Sequence, residues 1–216
     1  MIFRDRSEAG RKLARRLAQR GYVRPVVLAL PRGGVPVAVA VARALDAPLD
    51  LLLVRKIGHP HQPELALGAI VDGDQPELLI NPQFNEIAAA NAGYLSVARA
   101  EALAEIERRR ALYLGGRTPA EVAGATAIIV DDGIATGATV RAALKALRRR
   151  RAARIVLAVP VAPADVLAEL RAEVDEVVCL HAPERFVSVG QFYGDFRQVD
   201  DAEVMRLLGA GSAAAS

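Results

Sequence analysis

The chain contains no tryptophan, a single cysteine (Cys179) and only 5 Phe and 4 Tyr in 216 residues. One cysteine excludes a disulfide scaffold and points to a reducing compartment. Lysine is almost missing as well: among 28 basic residues only Lys12, Lys56 and Lys145 are lysines. Against 25 acidic residues the net charge is +3, too mild to mark a nucleic-acid binder. The basic runs Arg108–Arg110 and Arg148–Arg151 read as late turns of helices, where cations meet the negative end of the dipole. No apolar stretch reaches the about 18 to 20 uncharged residues of a membrane helix, because Arg32, Arg43, Asp46 and Asp50 punctuate the most hydrophobic region, 26–54. Charges at Arg4, Asp5 and Arg6 stand where a secretory signal would carry its apolar core. The sequence therefore predicts a cytoplasmic protein with no membrane partner and no nucleic-acid partner.

What is present is an apolar content of 52%, enough to bury a core that offsets chain entropy. Apolar runs of about five residues alternate with amphipathic segments of about twelve, the rhythm of a parallel α/β sheet. Strands are predicted at 26–30, 49–54, 125–130, 154–159 and 175–180. They lack polar alternation, as strands covered on both faces should. Helices are predicted at 36–45, 137–149 and 163–172, after an N-terminal helix at 8–19 capped by Ser7 and stopped by Gly21. The fold class is α/β, an open parallel sheet flanked by helices, in one domain covering 1–208. Residues 209–216 read as a disordered tail.

Two stretches break the rhythm. About 57–120 reads as an inserted flap: a short hairpin, 67–71 and 78–80 around Asp72-Gly73-Asp74, followed by a polar helix at 96–114. About 181–200 reads as a small C-terminal hood, in which Phe186, Phe192, Tyr193 and Phe196 concentrate the scarce aromatics. Such a cluster could cover a flat ligand.

The chemistry is densest between Ala127 and Thr139. Four apolar residues form a strand, Asp131 and Asp132 stand at its C-terminal end, and Gly133-Ile134-Ala135-Thr136-Gly137-Ala138-Thr139 then opens a helix. Carboxyl ends of strands form the ligand crevice of open α/β sheets, and a small-residue turn at a helix N-terminus presents N–H groups to an anion. The Thr136 and Thr139 hydroxyls add donors. Two carboxylates cannot bind that same anion, so their partners are hydroxyls or a hydrated divalent cation. A second turn, Pro31-Arg32-Gly33-Gly34-Val35-Pro36, lets backbone approach an anion that Arg32 can fork onto. A third cluster, Arg55-Lys56-Ile57-Gly58-His59, leaves the second strand, with His61 and Glu64 beyond it. Both histidines read as surface or turn residues rather than a zinc site, which would need further ligands at motif spacing.

Carboxylate pair beside phosphate loop suits a sugar phosphate, and here the chain resembles the type I phosphoribosyltransferases. All positions of 127–139 fit that family's signature of four hydrophobics, two acids and a Thr-Gly-x-Thr loop. Together with Arg55-Lys56-Ile57-Gly58, the stretches Gln62–Ala69 and Gln191–Phe196 look like a group of bacterial phosphoribosyltransferases with no assigned substrate. The resemblance implies phosphoribosyl pyrophosphate as donor and Mg2+ as cofactor, the ion held indirectly by Asp131 and Asp132 through water or ribose hydroxyls. It implies that 133–139 anchors the 5-phosphate, while Arg32, Gly33, Gly34, Arg55 and Lys56 meet the pyrophosphate. A cis peptide between Pro31 and Arg32 follows from it too, and, since the family is commonly dimeric, a homodimer. Phe186, Phe192 and Tyr193 are the expected cover for the acceptor, and Glu64 the first candidate for acid-base help. Enzymes of this family that act on 6-oxopurines carry an Asp immediately before the loop Thr; this chain has Ala135, which counts against hypoxanthine or guanine and leaves an adenine-like, pyrimidine or non-nucleobase acceptor open. The alternative is a non-catalytic sensor of phosphoribosyl pyrophosphate or a nucleotide, which an intact phosphate loop does not distinguish.

Overall fold

The computed structural model describes residues 3–73 and 76–212. Five parallel strands form the main sheet in the order β2-β1-β6-β7-β8, with β1 at Pro25–Ala29, β2 at Leu49–Leu51, β6 at Thr126–Val130, β7 at Arg154–Val161 and β8 at Glu176–His181. Along β1 and β6 the side chains alternate between two cores. Val27, Ala29, Ile128 and Val130 face α1 (Arg6–Ala18) and α2 (Gly34–Leu45), whereas Val26, Leu28, Ala127 and Ile129 face α5 (Ala138–Arg149) and α6 (Ala164–Arg171). Both faces are dry, which is why these strands read as unbroken apolar runs. The last helix, α7 (Asp201–Ser212), lies against α2 through Val204 and Leu208.

The order of strands positions the site. From β1 the chain crosses through α2 to β2 on one side, and from β6 it crosses through α5 to β7 on the other. The connections leaving neighbouring strands β1 and β6 therefore diverge from the strands' C-terminal ends, the switch point at which open α/β sheets bind ligands.

Four expectations change. The apolar run 49–54 is not one strand: β2 ends at Leu51, and β3 (Val54–His59) belongs to a second sheet. Leu52 and Leu53 in the break are 1% and 2% exposed and enter opposite cores, so hydrophobicity continues where the strand does not. The flap is thus a three-stranded antiparallel sheet rather than a hairpin: β4 (Gln62–Val71) runs between β3 and β5 (Glu77–Ile80), followed by α3 (Asn85–Ala90) and the 23-residue α4 (Ala92–Leu114). Helix α1 is capped by Asp5, not Ser7; extended Asp5 accepts from the Glu8 N–H at 2.7 Å, while Ser7 already lies in the first turn. Finally, Gly209 to Ser212 continue α7 instead of fraying, and 213–216 lie outside the described residues. No helix among the described residues is long and apolar enough to cross a membrane.

Candidate functional site

Two loops meet at the switch point. The turn after β1 contains a cis peptide between Pro31 and Arg32, as expected, and leads through Gly33 and Gly34 into α2. The turn after β6 carries Asp131 and Asp132. Backbone of the first turn is pressed against the acids of the second: a Cβ on Gly33 would collide with Asp132 Oδ2, and one on Gly34 would lie 2.7 Å from the Val130 carbonyl oxygen. Only glycine permits this approach.

The acids are not equivalent. Asp131 Oδ1 accepts the Asp132 N–H at 2.8 Å, and burial together with the Asp132 carboxylate pushes the Asp131 carboxyl well above the ordinary aspartate range. Burial also raises Asp132, opposed by Arg6, whose Nε donates to Asp132 Oδ2 at 2.7 Å. The Asp132 carbonyl accepts from the Tyr193 hydroxyl, which burial keeps protonated and therefore a donor.

Beyond the acids, Ala135, Thr136, Ala138 and Thr139 are exposed, and Gly137 adopts φ +75° at the start of α5. That left-handed conformation turns the loop into the helix. Ile134 departs from the expected role: its side chain is 3% exposed in the core and its N–H donates to the Val161 carbonyl at 2.9 Å. It fastens the loop to β7, and its amide is spent on that bond. Arg141 fastens the other end, donating to the Thr136 carbonyl at 3.0 Å and pairing with Glu169 of α6 and with Glu173 in the turn after it.

The structure separates the predicted cations. Arg32 Nη1 lies 3.3 Å from Asp201 Oδ1, at the start of α7, and Asp201 also accepts from the Tyr113 hydroxyl of α4. Arg55 and Lys56 do not sit at the end of a main-sheet strand; they are successive residues of β3, so their side chains leave on opposite faces. Lys56 lines a cavity of about 290 Å³ between the flap sheet and α5, together with Thr139, Arg141 and Lys145. Backbone of Glu64 lies in β4, and its side chain is outside the described residues.

The aromatic cluster also differs from its expected use. Phe192 and Tyr193 are 8% and 6% exposed, packed with Phe3 and Val161, and Phe186 stacks on Phe192 at 5.6 Å between centroids. They form the body of the hood rather than an open cover. The reason is the N-terminal segment, whose Phe3 N–H donates to the Phe192 carbonyl and whose Phe3 carbonyl accepts from the Gly194 N–H, each at 2.7 Å. That pairing seats Phe3 on Tyr193 at 5.4 Å and brings Arg6 over Phe196, its guanidinium carbon 3.9 Å from the ring centroid. Sequence reasoning missed Arg6, Tyr113, Arg141 and Asp201. A cation in the first turn of a helix was the one available signal, since it opposes the dipole there.

Fold and site define an α/β protein with paired acids and a phosphate-type loop at the switch point of its sheet. A model of the phosphoribosyl transferase domain matches residues 4–197, and the chain belongs to that family. Two curated proteins, one each from Mycobacterium tuberculosis strains CDC 1551 / Oshkosh and ATCC 25618 / H37Rv, are 47% identical over 207 residues and are provisionally named phosphoribosyl transferases. The match covers 96% of this chain and 46% of each relative, so the chain spans about half their length. The crystal structure of TT1426 from Thermus thermophilus is similar at 43% identity and a TM-score of 0.84, covering 96% of this chain and 98% of that one. The AQ2163 protein from Aquifex aeolicus shares the fold at 12% identity and a TM-score of 0.51, with 86% and 78% covered.

Proposed function

We propose that the chain transfers a 5-phosphoribosyl group from phosphoribosyl pyrophosphate to a nitrogen heterocycle, a nucleobase or a relative of one, releasing pyrophosphate. The observation that carries this is the contact of Gly33 with Asp132, which puts an anion-type turn and a pair of acids within one crevice next to the exposed Ala135, Thr136, Ala138 and Thr139. The 5-phosphate takes the α5 N-terminus and the Thr136 and Thr139 hydroxyls. Asp131 and Asp132 take the ribose hydroxyls. Arg32 and the backbone at Gly33 and Gly34 take the pyrophosphate, with Arg32 leaving Asp201 to do so; Lys56 approaches from the flap side of the phosphate loop.

In the reaction the bond from the anomeric carbon to the pyrophosphate oxygen breaks and a bond to the acceptor nitrogen forms, with positive charge building on the ribose between them. Positioning and electrostatic stabilisation supply most of the acceleration for such a loose transition state. The flap, β3 to β5 with α3 and α4, is the element assigned to exclude water from the ribosyl cation. Among the described residues no three His, Cys, Asp or Glu side chains cluster as a metal site. Asp131 and Asp132, through water or the ribose hydroxyls, are the residues that would hold a magnesium ion, which would supply neutralisation of charge on the departing pyrophosphate. Ala135 supports an acceptor other than a 6-oxopurine, and Glu64 of β4 is the carboxylate assigned to its proton.

The test is pyrophosphate release from phosphoribosyl pyrophosphate and magnesium across a panel of nucleobases and other nitrogen heterocycles. Release with one acceptor class, lost in Asp131→Asn, is the expected result. Donor binding by calorimetry without release for any acceptor would replace transfer by sensing.

A further inference from the structure

Arg6 stands where helix preference does not put it. It is the first residue of α1, so its positive charge faces the positive end of that helix. Three contacts hold its guanidinium: Asp132 Oδ2 at 2.7 Å, the Arg197 carbonyl at 2.8 Å and the face of Phe196. The Arg6–Asp132 pair is secluded on both sides, its side chains 11% and 13% exposed, whereas Arg154 and Arg197 are half or more exposed in their pairs. From the other direction Gly33 closes on the same carboxylate oxygen, and Tyr193 holds the Asp132 carbonyl. Asp132 is thereby clamped by three segments far apart in sequence, and Arg6 is the only cation among the described residues that clamp it.

We propose that Arg6 is a positioning residue of the donor site, which fixes the Asp132 carboxylate by one oxygen, Oδ2, so that the other, Oδ1, is aimed at a ribose hydroxyl. This rests on the reading of the crevice as a phosphoribosyl pyrophosphate site. A charge-assisted bond from a planar guanidinium sets direction as well as distance, and the Phe196 ring and Arg197 carbonyl keep the guanidinium in its plane. The N-terminal segment thus belongs to the site: its pairing with the hood at Phe3, Phe192 and Gly194 sets the register that delivers Arg6. Arg6 acts on the sugar part of the donor only.

Calorimetry with three ligands separates this role from a structural one: phosphoribosyl pyrophosphate, ribose 5-phosphate, and inorganic pyrophosphate with magnesium. Arg6→Ala is expected to weaken both sugar phosphates about tenfold and to leave pyrophosphate within about twofold, because a misaimed hydroxyl partner costs the ligand that carries the hydroxyl. Arg6→Lys, which keeps the charge and loses the plane, is expected to recover part of the loss. Phe196→Leu leaves the ion pair in place and removes its plate, so it is expected to act in the same direction and more weakly, and it serves if Arg6→Ala does not fold. Equal weakening of all three ligands, or sugar-phosphate affinity that is unchanged or tighter, overturns the inference alone. Wild-type protein that binds neither sugar phosphate overturns the donor-site reading, and this inference with it.

Discussion

The phosphate loop and the hood converge on one carboxylate, Asp132, and are built in opposite ways. The loop is contiguous: strand, acids and turn follow one another from 126 to 139, and its shape depends on local conformation such as φ +75° at Gly137. The hood joins segments almost two hundred residues apart, Phe3 to Arg6 with Phe192 to Arg197, through backbone pairing, a tilted ring contact and the Arg6 guanidinium on the Phe196 ring and the Arg197 carbonyl. A contiguous loop is specified by its own residue types. A hood of this kind exists only once the sheet has folded and brought the two segments to the same edge, so the partners of its aromatics carry no local signature.

Substitutions at their meeting point separate the two regions. The largest effect is expected at Gly33, where alanine would drive a methyl group into Asp132 Oδ2. Either the turn or the acid must move, and donor affinity should fall a hundredfold or more by calorimetry, since displacements of about 1 Å cost about 10²-fold in such sites. Retained affinity would mean that the two loops do not share a ligand.

Next comes Asp131→Asn, which keeps the acceptor for the Asp132 N–H. Asp131 is raised above the ordinary 3.8 by burial and by Asp132. For a carboxyl raised in the fold, stability is full below the unfolded value and is lost as pH rises through the folded value. At pH 7 the wild-type carboxyl therefore costs stability that asparagine removes. Thermal unfolding should show Asp131→Asn more stable at pH 7, at about 2–4 °C per kcal/mol for a chain of this size, with the advantage vanishing below about pH 4. Donor binding should fall at the same time, as expected where function holds strain. A variant less stable at pH 7 would refute the assignment of that strain.

On the hood side, Tyr193→Phe removes the hydroxyl bond to the Asp132 carbonyl and leaves the ring. A loss of about 0.5–1.5 kcal/mol in chemical denaturation is expected. The smallest effect belongs to Asp201→Asn, which releases Arg32 from a pair exposed by about a third on each side, for a stability change within about 1 kcal/mol. Its signature is in binding: affinity for magnesium pyrophosphate should rise about twofold as Arg32 is freed, and a fall would assign Asp201 a supporting role.

Legibility in the sequence follows the same division. The five main strands, the four helices flanking their sheet and the loop 133–139 were readable because strand burial, helix period and turn chemistry are each local. The break after Leu51 was not, because Leu52 and Leu53 bury in opposite cores and keep the hydrophobic run intact. Lys56 was read as a partner of Arg32 from its proximity to a predicted strand end, and the same break moved it to the flap sheet. The hood aromatics were correctly singled out as a cluster, yet their count could not show that Phe3 would fill the space beside Tyr193. Ile134 was grouped with the loop by position, whereas its side chain obeys its hydrophobicity and enters the core.

By itself, then, the sequence determined the parallel sheet, the anion-type loops and the two acids, since each needs only a few adjacent residues with the right period, charge or conformational freedom. Tertiary structure alone decided which cation reaches which acid. Arg6 faces Asp132 and Arg32 faces Asp201 because helix ends and chain termini are brought together by sheet order and core packing, and an arginine side chain takes whichever carboxylate the packing leaves within reach.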